Sequence, residues 1–428
     1  MDRWWNGAVG YEIYPRSFSD ANDDGIGDLV GIRQRLTYLR WLGVDAIWLA
    51  PFYDSPGLDH GYDVADYRSV NPIHGDIDDF VALVADAHAA GLKVVVDIVP
   101  NHSSSHHVWF QEALKSRDNP YRDYYIWKDP APGGGPPNNW VSHFGGPAWT
   151  LDEASGQYWC HLFLPEQPDL NWSNPAVRDE FDAILRFWCD RGADGFRIDV
   201  AHGLMKDPSF RDNPQMVPIV DPTDPSEVFK AFDHLYDLDQ DSTIEIFERW
   251  HEVVAPYDAV LIGECNPRTL DRVERYVHGE GLHTIFYLAP VWMEWDPEEI
   301  LANVETVNRA SDVGISWVVD NHDSSRSATR FGGGDPGRTR SFALMTFMCG
   351  LGGFPFLWEG QELGLVNAVL EAKDLEDPIS TRNVQHDEDE DSYFLRGRDV
   401  TRTAMPWDSS HANGFSVSAE PWLHAPLR

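Results

Sequence analysis

Short apolar runs alternate along the chain with stretches whose apolar residues recur every three or four positions. The runs are VGYEIYP (9–15), VDAIWLAP (44–51), KVVVDIV (93–99), DGFRIDV (194–200), AVLIGE (259–264), HTIFYL (283–288), ISWVVDN (315–321) and GFPFLWEG (353–360). Most lack the strict alternation of a half-exposed strand, as expected of parallel strands covered on both faces. Between them, DLVGIRQRLTYLRWLG (28–43), DIDDFVALVADAHAAG (76–91) and PAVRDEFDAILRFWCDRG (175–192) keep the helical period. Asn174 before Pro175 reads as an N-cap followed by proline at the first helical position. Eight strands with helices after most of them predict an α/β fold, a (β/α)8 TIM barrel.

Two stretches interrupt that rhythm. Residues 101–170, rich in Pro, Gly, Asn and Trp, read as a subdomain inserted after strand three, over the strand C-termini. Residues 361–428 form a long excursion after the eighth strand, with the acidic run HDEDEDS (386–392) as a solvated loop. The expected division is therefore 1–100 and 171–360 for the barrel, 101–170 for the insertion and 361–428 for the excursion.

In a barrel of this type the chemistry lies at the C-terminal strand ends. Strand three ends in Asp97 and runs on to Asn101 and His102. Strand four carries Arg197 and Asp199, two residues apart and therefore on one face. Strand five ends in Glu264, and strand seven runs into His322 and Asp323. Two ionised groups on one face of an apolar strand either pair or face a polar cavity. An ion pair at a strand end would explain Arg197 and Asp199 alone. Three acids, two histidines and an arginine at one barrel face point instead to a shared site. Carboxylates around an aromatic-rimmed pocket suit glycoside cleavage, in which one attacks the anomeric carbon and another protonates the leaving oxygen. Arg197 is expected to hold Asp199 ionised as the nucleophile, which leaves Glu264 as the general acid/base.

Composition narrows the partners. The chain has 428 residues and a formal net charge of −37. Such a surface repels nucleic acid and anionic membranes, so neither is an expected partner. The 18 Trp and 15 Tyr suit sugar faces as well as cores. Cys160, Cys189, Cys265 and Cys349 lack metal or redox spacing and read as free buried thiols. No basic segment leads into an apolar run at the start, and no run reaches the ~18–20 residues of a membrane span. The expectation is a cytoplasmic monomer or weak homo-oligomer.

These motifs carry a resemblance. DIVPNH (97–102), GFRIDVAH (195–202), GECN (263–266) and VVDNHD (318–323) resemble the four signature regions of the α-amylase family, glycoside hydrolase family 13. QPDLNW (167–172) is similar to the fifth region, that of the oligo-1,6-glucosidase and α-glucosidase branch. The resemblance implies Asp199 as nucleophile, Glu264 as acid/base and Asp323 as transition-state stabiliser. It implies that His102 and His322 bind glucose hydroxyls and that Arg197 supports Asp199. DHGY (59–62) and GRDVTRTAMPW (397–407) resemble stretches that grip the terminal sugar, through Asp59, Tyr62 and Arg398. The implied activity is that of a retaining exo-α-glucosidase on short oligosaccharides. Val200 occurs with α-1,6 activity in this branch, whereas the DVAHG context resembles α-1,4-acting members; maltose-type substrates are favoured. Sucrose hydrolysis, isomerisation and transglucosylation use the same residues. A non-catalytic scaffold or an inactive remnant are the readings of another class.

The loop DANDDGIGD (20–28) sets oxygens at Asp20, Asn22, Asp24 and Asp28, like the first half of a calcium loop, although Gly31 replaces the closing acid of an EF-hand. An Asx-rich turn is the alternative. The resemblance implies one structural Ca2+ or Mg2+ here, with the Ile26 carbonyl as a further ligand. Departures from the family pattern are SSR (324–326) after Asp323 and Ala404 where proline is usual. The resemblance also implies a further helix and a β-sandwich beyond Arg428, and without them a less stable chain.

Overall fold

The eight apolar runs become the eight strands of one parallel sheet: β1 (Gly10–Ile13), β2 (Ala46–Leu49), β3 (Lys93–Ile98), β4 (Gly195–Ile198), β5 (Val260–Glu264), β6 (Thr284–Tyr287), β7 (Ser316–Trp317) and β8 (Phe356–Trp358). The computed structural model describes residues 3–423 apart from 223, 267–268, 270, 278, 311–314 and 380–396. The acidic run 386–392 lies outside the described residues. Hydrogen-bonded order follows the chain from β1 to β7, and β8 pairs with β1. Among the described residues a single parallel bridge, Val318 to Phe356, joins the β7 and β8 sides and closes the barrel.

Period two sorts every strand into an inner and an outer face. Ala46, Trp48, Val95, Val260, Ile262, Phe286 and Phe356 pack in one cluster inside the barrel. Ile47, Leu49, Val94, Val96, Ile98, Phe196, Ile198 and Leu261 pack outward with the helices. Gly10 keeps the interior passable: a Cβ there would sit 2.3 Å from the Phe356 ring.

The helices form where the apolar period and caps agree. α1 (Leu29–Gln34) starts at Asp28, whose side chain accepts from Gly31 N. α2 (Leu36–Leu42) follows after one residue. The sequence predicts one helix over 28–43; the structure breaks it at Arg35 (φ −100°, ψ 2°). There the guanidinium reaches Gly414 O at 2.8 Å and covers the Trp407 ring at 4.3 Å. α3 (Ile77–Ala89) begins with a full capping box from Asp76 and Asp79. α4 (Pro175–Cys189) has the expected Asn174 cap and proline start. α5 (Thr243–Val254) packs beside α4.

Residues 101–170 hold the helix Val108–Ala113 and a three-stranded antiparallel sheet of Trp127–Lys128, Gln157–Cys160 and Trp149–Asp152. Residues 204–240, after β4, return to this region: Trp140 Nε1 donates to Arg211 O at 2.9 Å and stacks on Phe210. Cys160, Cys189 and Cys265 are buried, but Cys349 is exposed, contrary to the expectation of four buried thiols. It lies near the end of α6 (Gly334–Gly350), a helix with apolar residues on its open side, including Phe347. Among the described residues no helix is long and apolar enough to cross a membrane.

Candidate active site

Arg197 stands at the centre of the barrel mouth, 1% exposed. It is in register with Asp97 on β3 and Ile262 on β5. Its Nη1 donates to Asp97 Oδ1 and Oδ2, both at 3.1 Å, and to Asp199 Oδ1 at 2.7 Å. Its Nη2 lies 3.0 Å from Glu264 Oε2. One guanidinium thus gathers three acids from three adjacent strands. Trp48 Nε1 also donates to Asp97 Oδ2, at 3.2 Å.

Asp97 and Asp199 share one cation in a buried site, where two carboxylates do not both ionise cheaply. Burial raises the Asp97 carboxyl, against the pull of Arg197. Burial likewise raises Asp199 well above the usual carboxylate range; Arg197 pulls it back, and Glu264, Asp97 and Asp323 push it up again. The expectation that Arg197 simply keeps Asp199 ionised is therefore too one-sided. The guanidinium's charge is divided among three carboxylates.

The turn after Asp199 is strained. Val200 adopts φ 43°, ψ 44°, a left-handed conformation that a β-branched side chain rarely takes. That turn aims Val200 N–H at Glu264 Oε2, 3.0 Å away.

Asp323 approaches from the other side. Its Oδ1 accepts from Arg402 Nη2 at 2.7 Å and from Arg398 Nη1 at 3.2 Å, and its Oδ2 lies 3.2 Å from His322 Nε2. Although burial alone would raise it, His322 and the two arginines hold its carboxyl well below the ordinary range. His322 Nδ1 meets Glu12 Oε1 at 2.5 Å, and Nε2 lies 2.7 Å from Tyr62 Oη. Against burial, which favours the neutral ring, Asp323 and Glu12 hold the imidazole up at about 9.

The remaining expected residues close the far side. Asp59 pairs with Arg398 Nη2 at 2.6 Å and accepts from Gln167 Nε2 at 3.0 Å. Gln167 Nε2 also lies 3.1 Å from His102 Nε2. Arg398 is clamped on its second side by Asp377, at 2.9 and 3.0 Å. Side-chain exposure rises from 9% at Asp199 through 17% at Glu264 to 32% at Asp323, so the opening is narrow. Two cavities of about 260 and 280 Å3 lie elsewhere, beside the insertion, and include none of these acids.

The structure thus brings Asp59, Tyr62, His102, Arg197, Asp199, Glu264, His322, Asp323 and Arg398 into one connected network. Glu12, Gln167, Asp377 and Arg402 belong to it and were not singled out from the sequence. Gln167 and Arg402 sit inside quoted motifs, and Glu12 faces inward by the same alternation that marks Arg197. Asp377 carries no such signal.

The loop of Asp20, Asn22, Asp24, Ile26 and Asp28 lies apart. Asp20 accepts from Asn22, Asp23 and Gly25 N–H at 3.1, 2.7 and 2.8 Å. Asp28 accepts from Ala21, Asn22 and Gly31 N–H at 2.9, 3.3 and 2.6 Å. Asp24 accepts from Ile26 N–H at 2.8 Å. Gly25 sits at φ 88°, and a Cβ there would come within 2.3 Å of Glu420 O. Asp23 accepts from Ser416 Oγ and Ala419 N, which ties this loop to the end of the described chain.

Residues 12–426 match the family described as alpha amylase, catalytic domain. A probable alpha-glucosidase of Rhizobium meliloti is 40% identical over 98% of this chain and 76% of its own length. An oligo-1,6-glucosidase of Heyndrickxia coagulans is 38% identical over 100% of this chain and 80% of its own. Among solved structures, the alpha-glucosyl transfer enzyme XgtA matches with TM-score 0.93 and 38% identity, over 100% of this chain and 79% of its own. The trehalulose synthase MutB of Pseudomonas mesoacidophila matches with TM-score 0.87 and 34% identity, over 99% and 79%.

Proposed function

This chain belongs to the alpha-amylase family of glycoside hydrolases, and from that premise we propose that it is a retaining exo-α-glucosidase acting on short maltose-type α-1,4-linked oligosaccharides. The observation that carries the reading is Asp199 and Glu264 held by the same guanidinium. Two carboxylates on the two arms of one guanidinium are drawn towards each other, which favours a retaining pair, whose carboxyl groups lie about 5–5.5 Å apart, over the wider gap of an inverting one. Asp199 attacks the anomeric carbon as Glu264 gives its proton to the leaving oxygen. Water, deprotonated by Glu264, then attacks the same carbon and releases Asp199. Asp323, kept anionic by His322, Arg398 and Arg402, faces the positive charge that develops on the sugar. The Asp59–Arg398–Asp377 clamp would close the pocket beyond the terminal glucose, which favours release of single units. The fold match to an alpha-glucosyl transfer enzyme favours, as a second reading, a sugar hydroxyl in place of that water.

Proton NMR of the first product from p-nitrophenyl α-glucoside is expected to show α-glucose. First-formed β-glucose, or no release of p-nitrophenol, would sink the proposal. Initial rates on maltose, isomaltose and sucrose then fix the linkage, and the glucose-to-nitrophenol ratio at high p-nitrophenyl α-glucoside separates hydrolysis from transfer.

One Ca2+ or Mg2+ is proposed for loop 20–28. The donors are all oxygens, as a hard cation prefers, and among the described residues the buried acids Asp20 and Asp28 are met by backbone N–H groups rather than by a cationic side chain. Among the described residues no group of three or more His, Cys, Asp or Glu could hold an ion, so the site would depend on Asn22 and the Ile26 carbonyl as well. Such an ion would act on stability and not on the reaction. Chelation is expected to lower the melting temperature by an amount corresponding to about 2–3 kcal/mol, restored by Ca2+. An unchanged melt, with no metal in the purified protein, would refute it.

A further inference from the structure

We propose that Glu12 is a positioning residue that fixes the orientation and charge of His322 and, through it, of Asp323. It touches neither substrate nor the reacting atoms. The inference rests on the glucosidase reading and names a member of the machinery that no motif assigns.

Glu12 lies on β1 and points into the barrel, fully buried, as does His322. The imidazole is gripped at both nitrogens: Nδ1 by Glu12 Oε1 at 2.5 Å, Nε2 by Tyr62 Oη at 2.7 Å and Asp323 Oδ2 at 3.2 Å. Two carboxylates on opposite nitrogens can both be satisfied only if both nitrogens carry protons. Tyr62 stacks on the ring at 5.3 Å and Tyr14 at 6.0 Å, so the plane is fixed as well. Groups facing the ring or its partners from other elements are Tyr14, Tyr62, Asp97, Arg197, Arg398 and Arg402. Arg402 also donates from Nε to His322 O at 2.8 Å. Burial disfavours an imidazolium, while Asp323 and then Glu12 favour it, with Asp97 adding to their pull. Without the Glu12 charge, Asp323 is left as the one carboxylate hydrogen-bonded to the ring to hold the imidazolium against burial.

The imidazole is held up at about 9 in the intact site. The charged form is therefore present at neutral pH and is lost as pH rises through that value. Removing the Glu12 charge lowers it, so the loss begins at lower pH.

The test is Glu12→Gln, an isostere that keeps an acceptor but no charge. Relative to wild type, its kcat/KM is expected to fall by about twofold or more between pH 5.5 and pH 8, and further by pH 9. The alkaline limb moves down by one pH unit or more, while Glu12→Asp recovers part of it. A uniform loss across pH, as a packing defect would produce, overturns the proposal, and so does an unmoved limb. If Glu12→Gln does not fold, the His322 ring signals of the wild type and of Glu12→Asp decide, since they need no activity. An imidazolium at pH 8 that becomes neutral at lower pH in Glu12→Asp than in the wild type supports the proposal, and a neutral wild-type ring at pH 7, or an unmoved Glu12→Asp signal, overturns it. An inactive wild type with a charged His322 would fault the glucosidase reading alone.

Discussion

Asp199→Asn is expected to lower kcat/KM on p-nitrophenyl α-glucoside by on the order of 10^4-fold or more, with the fold intact. The amide keeps the shape of the carboxylate and can still accept from Arg197 Nη1, which lies 2.7 Å from Oδ1. What it cannot do is form the covalent bond to the anomeric carbon. The melting temperature should stay level or rise, because one of three crowded acids loses its charge. The comparison needs both readouts: activity within tenfold of wild type would remove Asp199 from the nucleophile's role.

Arg197→Met should be the most damaging single change to stability at the site. It leaves Asp97 and Asp199 buried with their shared cation gone, and Glu264 loses its 3.0 Å contact. Breaking a buried ion pair from one side costs about 3–5 kcal/mol. Chemical denaturation should show a loss of that size, with activity near the detection limit. Adding Asp97→Asn to Arg197→Met should recover part of the stability, because one stranded charge is neutralised, but not the activity. A lone Arg197→Met variant as stable as wild type would mean that the guanidinium does not hold the three acids together.

The barrel was legible because parallel strands covered on both faces leave unbroken apolar runs, and each of the eight runs contains its strand. The three acids were legible because they lie at or just beyond the C-terminal ends of such runs. The same alternation that turns Arg197 inward also turns Glu12 inward between Tyr11 and Ile13, so that residue could have been found. Asp377 could not: it lies in a loop, and its meaning comes from Arg398, 21 positions away. The break at Arg35 was hidden for a related reason, since the apolar period runs straight through it. The residue is diverted by Gly414, 379 positions distant. Val200 defeats local reasoning outright, because a β-branched residue is the last to be expected at positive φ. Cys349 misled because α6 is apolar on more than one side, so the helical pattern did not say which side faces in.

The single bridge between Val318 and Phe356 has a consequence for heat inactivation. Asp199 and Glu264 hang from strands with four-residue ladders on either flank or one, whereas Asp323 hangs from the two-residue β7 beside that bridge. Local opening begins where fewest backbone bonds must break. On warming, Asp323 should therefore drift from the other two acids while the rest of the barrel is still assembled. Turnover should then fade reversibly several degrees before the cooperative melt, and return on cooling.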